Sequence, residues 1–371
     1  MVIGIDASRI AEQNKTGTEN YSVNIIRAVL ALDKKNRYTL YFNKAPTFFE
    51  ISHVNVSTKV ISAPRFWTQG RLAFECIAHP PDILFVPAHT IPVVRRPSLK
   101  TIVTVHDLGA EFLAEYHQFP QKIYLSWSTK YVANYATHII SVSNFTKQEL
   151  NKTLKVPKSR ISVVHEGMDR GLFYPRGKSE IDQVKMKYGI PSQYFIFVGT
   201  IQPRKNITRL IEAFSKAKLK NTYLILVGKP GWLTNEIYEA PNKFSISKYI
   251  RFLNYIDNED LAALYSGALG LAFPSLYEGF GLPILEAFAC GCPVITSKYG
   301  AMAEVAGYAG LLVEPEDTND IAAALKKICT SSLLREKLTQ KGNLRAGDFG
   351  WEKAAAETIK VFEKVYSENA K

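Results

Sequence analysis

Two acidic residues spaced Glu-x7-Glu, Glu278 and Glu286, lie in Phe273-Pro-Ser-Leu-Tyr-Glu-Gly-Phe-Gly-Leu-Pro-Ile-Leu-Glu-Ala. Ionised carboxylates only accept hydrogen bonds, so the pair suits a ligand rich in hydroxyls, such as a sugar or a ribose. An apolar strand ends at Phe273. Gly279 and Gly281 let backbone amides approach a ligand closely, and Pro283 suits the first turn of a helix. The free N–H groups at that helix start make a phosphate site. The plainer alternative is an ordinary strand–loop–helix joint whose glutamates cap amides or face water. A dinucleotide fingerprint fails, because Ile284 stands where the third glycine belongs.

Arg204 and Lys205 follow another strand, in Val198-Gly-Thr-Ile-Gln-Pro-Arg-Lys-Asn. A guanidinium beside an ammonium could hold a diphosphate, although two solvated surface cations would read the same way. In Thr101-Ile-Val-Thr-Val-His-Asp-Leu, His106 falls just past the end of a strand, where a cleft residue of parallel α/β architecture would lie. A structural histidine is the alternative, with Asp107 capping the turn. Gly17, in Lys15-Thr-Gly-Thr, would let amides face a ligand. The sequence holds no Gly-x4-Gly-Lys-Ser/Thr loop, no Gly-x-Ser-x-Gly elbow and no His-Glu-x-x-His helix.

These groups need scaffolding, and the sequence supplies it twice. Apolar runs at Val2–Ile5, Tyr38–Phe42, Ile83–Val86, Thr101–Val105, His138–Val142 and Ile161–Val164 alternate with helical patterns at Glu19–Ala31 and Lys122–Tyr135. A second series runs Tyr194–Val198, Tyr223–Val227, Ile250–Phe252, Gly270–Phe273, Pro293–Thr296 and Gly310–Val313, again with helices between. Such alternation predicts an α/β chain of two doubly wound, Rossmann-like domains facing each other across a cleft. The expected boundaries are 1–172 and 173–350, with an amphipathic helix in 351–371 crossing back to the first domain.

With 371 residues and a formal charge of +12, the chain is large enough to need no metal or disulfide staple. Residues 1–172 carry 21 basic and 13 acidic side chains, against 25 and 21 in residues 173–371. A basic first half could attract an anionic acceptor or an anionic membrane surface, or simply keep the protein soluble. Cys76, Cys290, Cys292 and Cys329 are too few for a disulfide framework, and the Cys290-Gly-Cys292 pair reads as buried thiols. No run of about 18 apolar residues is present to span a membrane. The expected location is cytoplasmic, at most peripheral on the inner face of the membrane.

In order along the chain, these motifs resemble glycosyltransferase family 4, the retaining, nucleotide-sugar-dependent glycosyltransferases of the two-Rossmann B fold. The resemblance runs through Thr16-Gly-Thr18, Val105-His-Asp107, Ser141-Val-Ser-Asn-Phe-Thr146, Glu166-Gly-Met-Asp169 and Val198-Gly-Thr…Pro203-Arg-Lys205. It continues through Asp260–Ala268, Pro274-Ser…Glu278-Gly-Phe-Gly-Leu-Pro…Glu286, Gly300-Ala-Met-Ala-Glu304 and Trp351-Glu-Lys-Ala-Ala. It implies that Glu278 hydrogen-bonds the donor sugar, Glu286 the ribose hydroxyls, and Lys205 the diphosphate. Thr200 stands where the family usually has an arginine, and Arg204 would replace that charge. Amides around Gly279, Phe280, Gly281 and Leu282 would meet sugar and diphosphate. The backbone near Tyr255 and Ile256 would read the base, and His106 would approach the sugar from the first domain. The implied reaction moves a hexose, with mannose from GDP-mannose favoured over UDP-glucose, to a saccharide or lipid-linked saccharide in polysaccharide or O-antigen assembly. Same-face attack assisted by the leaving phosphate needs no enzyme nucleophile, and no metal, cofactor or nucleic acid is implied. A nucleotide-sugar epimerase on the same fold and a non-catalytic nucleotide-sugar-binding protein are the rival readings.

Overall fold

The computed structural model describes residues 1–11, 17–46, 53–63, 66–109 and 121–368. Two compact units divide them: one runs to Gly167 and resumes at Gly350, and the other is Met168–Phe349. The break at Gly167/Met168 falls slightly ahead of the expected 172/173. Within the first unit the chain at Gly350–Trp351 passes so close to Gly167 that a side chain at Gly167 would collide with the Trp351 backbone.

Among the described residues the first unit is built on seven parallel strands: β1 (Val2–Asp6), β2 (Arg37–Phe42), β3 (Val56–Val60), β4 (Ile83–Val86), β5 (Lys100–Val105), β6 (His138–Ser141) and β7 (Ile161–Val163). Their order is β3-β2-β1-β4-β5-β6-β7. The inner strands are buried along their length, as helices on both faces of a parallel sheet require. The last helix, Trp351–Ser367, packs on helix Gly17–Leu32 and on β5 within this unit. Phe362, fully buried, meets the edge of Phe85, a burial contributing about 1.5–3 kcal/mol. The Lys100 ammonium donates to the carbonyls of Val365 and Tyr366, satisfying acceptors that a helix end leaves open.

The second unit has six parallel strands among its described residues: β8 (Tyr194–Val198), β9 (Tyr223–Val227), β10 (Ile250–Leu253), β11 (Gly270–Phe273), β12 (Val294–Ser297) and β13 (Leu311–Val313), in the order β10-β9-β8-β11-β12-β13. Both sheets reverse their winding beside their first strand, at β1/β4 and at β8/β11. Ligands of open parallel sheets bind at such points.

Strand β3 and the helices Asn144–Leu154 and Ser332–Ala346 were not expected from the sequence. Among the described residues no helix is long and apolar enough to cross a membrane. Cys76, Cys290 and Cys292 are buried thiols.

Candidate functional site

In the second unit, the loops leaving β8 and β11 carry the charged residues. After Val198 the chain turns through Gly199, at φ 149°, and is stitched beside the end of β9. The Ile201 amide donates to the Lys229 carbonyl and the Gly231 amide to the Ile201 carbonyl, both at 2.9 Å. A short turn, Pro203–Lys205, follows and ends at Asn206, which adopts the left-handed conformation with φ 61°. Buried Asn206 donates to the carbonyls of Pro274 (2.9 Å) and Pro315 (2.6 Å), and accepts from Arg209. The Leu276 amide donates to the Arg204 carbonyl. These bonds lock one loop onto the other. Asn206 stood beside the two cations in sequence, yet nothing there gave it this role.

The locked loops bring Arg204, Lys205 and Glu278 together. Lys205 Nζ lies 2.5 Å from Glu278 Oε1, and Arg204 Nη1 lies 3.3 Å from Glu278 Oε2 and 3.0 Å from the Tyr277 carbonyl. Lys205 and Glu278 are both buried. Burial by itself would raise the Glu278 pKa, but the charges of Lys205 and Arg204 outweigh it and hold the carboxyl below its usual range. The cluster is thus two cations on one carboxylate, a net positive charge in a desolvated place where it acts strongly on an anion. Gln202, in the same loop, has a buried side-chain oxygen without a hydrogen-bond partner among the described residues.

Gly279, Phe280, Gly281 and Leu282 link β11 to helix Leu282–Ala289. Gly281 sits at φ 122°, a conformation that favours glycine. Phe280 is buried edge-on against Phe349. Glu286 is in the second turn of the helix. It accepts from the Tyr265 hydroxyl at 3.1 Å, and burial pushes its carboxyl up to about 7 against that bond. Thr200 is exposed on the first loop. Beyond β10, Tyr255 is exposed under the Lys229 ammonium and Ile256 is buried.

In the first unit, Gly17 opens helix Gly17–Leu32 in open space, while Lys15 and Thr16 lie outside the described residues. His106 is buried at the end of β5. Its Nδ1 faces Glu166 Oε1 at 3.1 Å and its Nε2 faces the Pro87 carbonyl oxygen at 2.9 Å. An acceptor facing each ring nitrogen favours the doubly protonated, charged form of the ring. Burial would lower its pKa, but Glu166, the Pro87 carbonyl and Asp107 together raise it. The ring also packs edge-on to Tyr21 (4.6 Å) and His89 (5.4 Å), and Tyr21 meets Trp351. Glu166 sat in a recognised motif, but its partner is 60 residues away and could not be read from spacing.

The pair stabilises the fold fully below a histidine pKa of about 6.5, and its contribution is lost as pH rises through the raised native value. Glu166→Gln should therefore turn His106 neutral at a lower pH than in the wild type. Imidazole 15N shifts followed from pH 5 to 9 would show this, and an unchanged titration would break the assigned pairing.

Comparisons with known proteins place this geometry. Residues 181–345 match the family model described as "Glycosyl transferases group 1", and residues 16–171 match "Glycosyltransferase Family 4". The O-antigen chain mannosyltransferase B of Escherichia coli is 33% identical over 71% of this chain and 70% of that protein. Among solved structures, the sucrose-phosphate synthase of Thermosynechococcus elongatus has a TM-score of 0.77 at 21% identity, covering 99% of this chain and 100% of that one. Anabaena Alr3699/HepE, solved with UDP and glucose, has a TM-score of 0.75 at 17% identity, covering 98% and 99%. The two family models and the Escherichia coli relative define the class, a glycosyltransferase. The chain belongs to the group 1 glycosyltransferases with a family 4 first half.

Proposed function

We propose that the chain is a retaining mannosyltransferase that takes mannose from GDP-mannose and passes it, without a metal, to a saccharide or lipid-linked saccharide acceptor. The observation that carries this reading is the buried cluster of Lys205, Arg204 and Glu278 beside the helix that begins at Leu282. Breaking the bond from the anomeric carbon to the diphosphate leaves negative charge on phosphate oxygens. Two fixed cations and a helix N-terminus stabilise that charge without reorganising, the role a metal fills elsewhere. Once the diphosphate engages the cations, the Glu278 carboxylate orients sugar hydroxyls. A carboxylate already held by two cations is a poor nucleophile, in keeping with same-face attack assisted by the leaving phosphate. The name of the Escherichia coli relative supports mannose, and O-antigen-type assembly as the setting.

The test is a thermal-shift and calorimetry panel of GDP, UDP, ADP, GDP-mannose and UDP-glucose with EDTA present. GDP and GDP-mannose should stabilise the protein most. UDP and UDP-glucose doing so instead would overturn the donor and keep the transferase, and silence from all five would overturn the donor site. The same calorimetry carries a pH signature. A ribose diol donates to the charged form of Glu286, whose carboxyl burial has pushed up to about 7. Nucleotide affinity should therefore rise as pH rises through about 7, by up to about tenfold per pH unit below it. Glu286→Gln should flatten that dependence.

A further inference from the structure

At the amino ends of the first unit's strands, opposite to the end where His106 lies, a pocket of about 790 Å³ opens over the starts of β1, β2 and β3. Lys34, Lys35, Arg37 and His53 line it, and no Asp or Glu does among the described residues. None of the three cations pairs with a carboxylate among those residues. The volume falls in the range of about 300–1,000 Å³ usual for small-molecule sites.

The turn that carries these cations is braced from beneath. Asp33 is buried just past helix Gly17–Leu32 and accepts from the amides of Lys35 (2.8 Å) and Asn36 (3.2 Å), the Asn36 side chain (2.6 Å) and the Tyr38 hydroxyl (2.6 Å). Asn55, at the foot of β3, donates to the carbonyls of Asp33 (3.1 Å) and Asn36 (2.8 Å). A satisfied buried network of this kind makes its surroundings rigid, so the backbone spacing from Lys34 to Arg37 is fixed. The Lys34 ammonium donates to the Leu30 carbonyl at 2.8 Å and faces His53 Nδ1 at 3.2 Å. An ammonium has three donors, so one is left for a ligand.

Charge and donor geometry narrow what would fill the pocket. Three like charges around one hollow repel each other, and an anion of more than one charge relieves them best. A phosphomonoester carries about −1.5 to −2 charges at neutral pH on three acceptor oxygens. Guanidinium meets two of those oxygens at once, and ammonium serves as a point charge. The hydroxyls of Thr39 and Ser57 lie 3.1 Å apart across β2 and β3 on the pocket wall and add O–H donors. A lone phosphate would leave most of the volume empty. Val54, fully exposed at the edge of the pocket, offers an apolar surface to an organic remainder.

We propose that this pocket binds a phosphomonoester, with Lys34, Lys35 and Arg37 on the phosphate and the organic part along Val54. It is separate from the Lys205 cluster, which lies in the second unit, and does not depend on the transferase reading.

The probe is glycerol 1-phosphate, titrated into the full chain at constant ionic strength and followed by calorimetry and 31P NMR. Lys35→Ala and Arg37→Ala should each weaken binding about tenfold or more, and Arg37→Lys should keep part of the affinity. A phosphate held by Lys205 would survive these changes, so the double variant Lys35→Ala/Arg37→Ala should lose one bound equivalent whatever the second unit takes. Lys326→Ala, an exposed cation on helix Thr318–Thr330, should bind as the wild type does. Circular dichroism checks that each variant is folded. Vesicles of phosphatidylcholine containing phosphatidic acid separate the two sources of such a group. Vesicle binding that the double variant loses identifies a lipid headgroup, and binding of glycerol 1-phosphate without vesicle binding identifies a soluble ester. Unchanged stoichiometry and affinity in the double variant would overturn the site. Equal weakening by Lys326→Ala would also overturn it, because the pocket would then add nothing to general surface charge.

Discussion

Lys205→Ala should lower kcat/KM for transfer by about 10²–10³ and remove most of the stabilisation given by a nucleoside diphosphate. One preorganised charge aimed at a leaving group is worth about that much, and in this buried setting no water can substitute for it cheaply. The substitution also leaves Glu278 with Arg204 as its remaining cation of the pair, at 3.3 Å. Removing one partner of a buried ion pair costs about 3–5 kcal/mol, so thermal melting must be measured beside activity. Lys205→Arg separates the two effects. It keeps the charge and the pairing but misplaces the donors, so it should melt near the wild type and still turn over slowly. Near-normal turnover in Lys205→Ala would remove the cation cluster from the mechanism.

Gly228→Ala should be the most damaging single methyl group in the second unit's site region. Gly228 sits at φ 154°, and a Cβ there would overlap the Gly199 carbonyl oxygen at the end of the neighbouring strand. Neither backbone can yield easily, because Gly199 and Gly228 each hold a ladder-like bond, to Val227 and Leu253. A loss of about 4 kcal/mol or more in urea denaturation is expected, at the far end of single-substitution effects. Gly199→Ala should cost less, since its Cβ would meet neighbours at 3.5 Å and beyond. Equal and mild losses at both positions would mean that β8 and β9 do not approach as described.

Most of the two sheets was readable because parallel strands buried on both faces appear as short unbroken apolar runs, as in Ile83–Val86 and Tyr194–Val198. Val56–Val60 escaped notice for the opposite reason. It is the edge strand, largely exposed, and its Ser-Thr-Lys interior carries no apolar signal. The helix Asn144–Leu154 carries one local sequence sign, Ser143, whose hydroxyl accepts from the Thr146 amide as an N-cap. Ser332–Ala346 distributes its leucines without a clear stripe, so periodicity had nothing to show. At the site, residue types and loop positions were legible, but partnerships were not. Lys205 and Glu278 are 73 residues apart and meet because β8 and β11 are neighbours in the sheet. Sequence spacing cannot express strand order.

The last helix of the chain completes the first unit, with residues 168–349 intervening. During synthesis, the groove that receives Phe362 beside Phe85 must stay open while the whole second unit is translated. At about 5–20 residues per second that wait is roughly 10–40 s, far longer than a helix or hairpin needs to form. The nascent first unit is thus a natural client for holding chaperones. An engineer who splits this chain after Gly167 would separate an incomplete unit from its own closing piece.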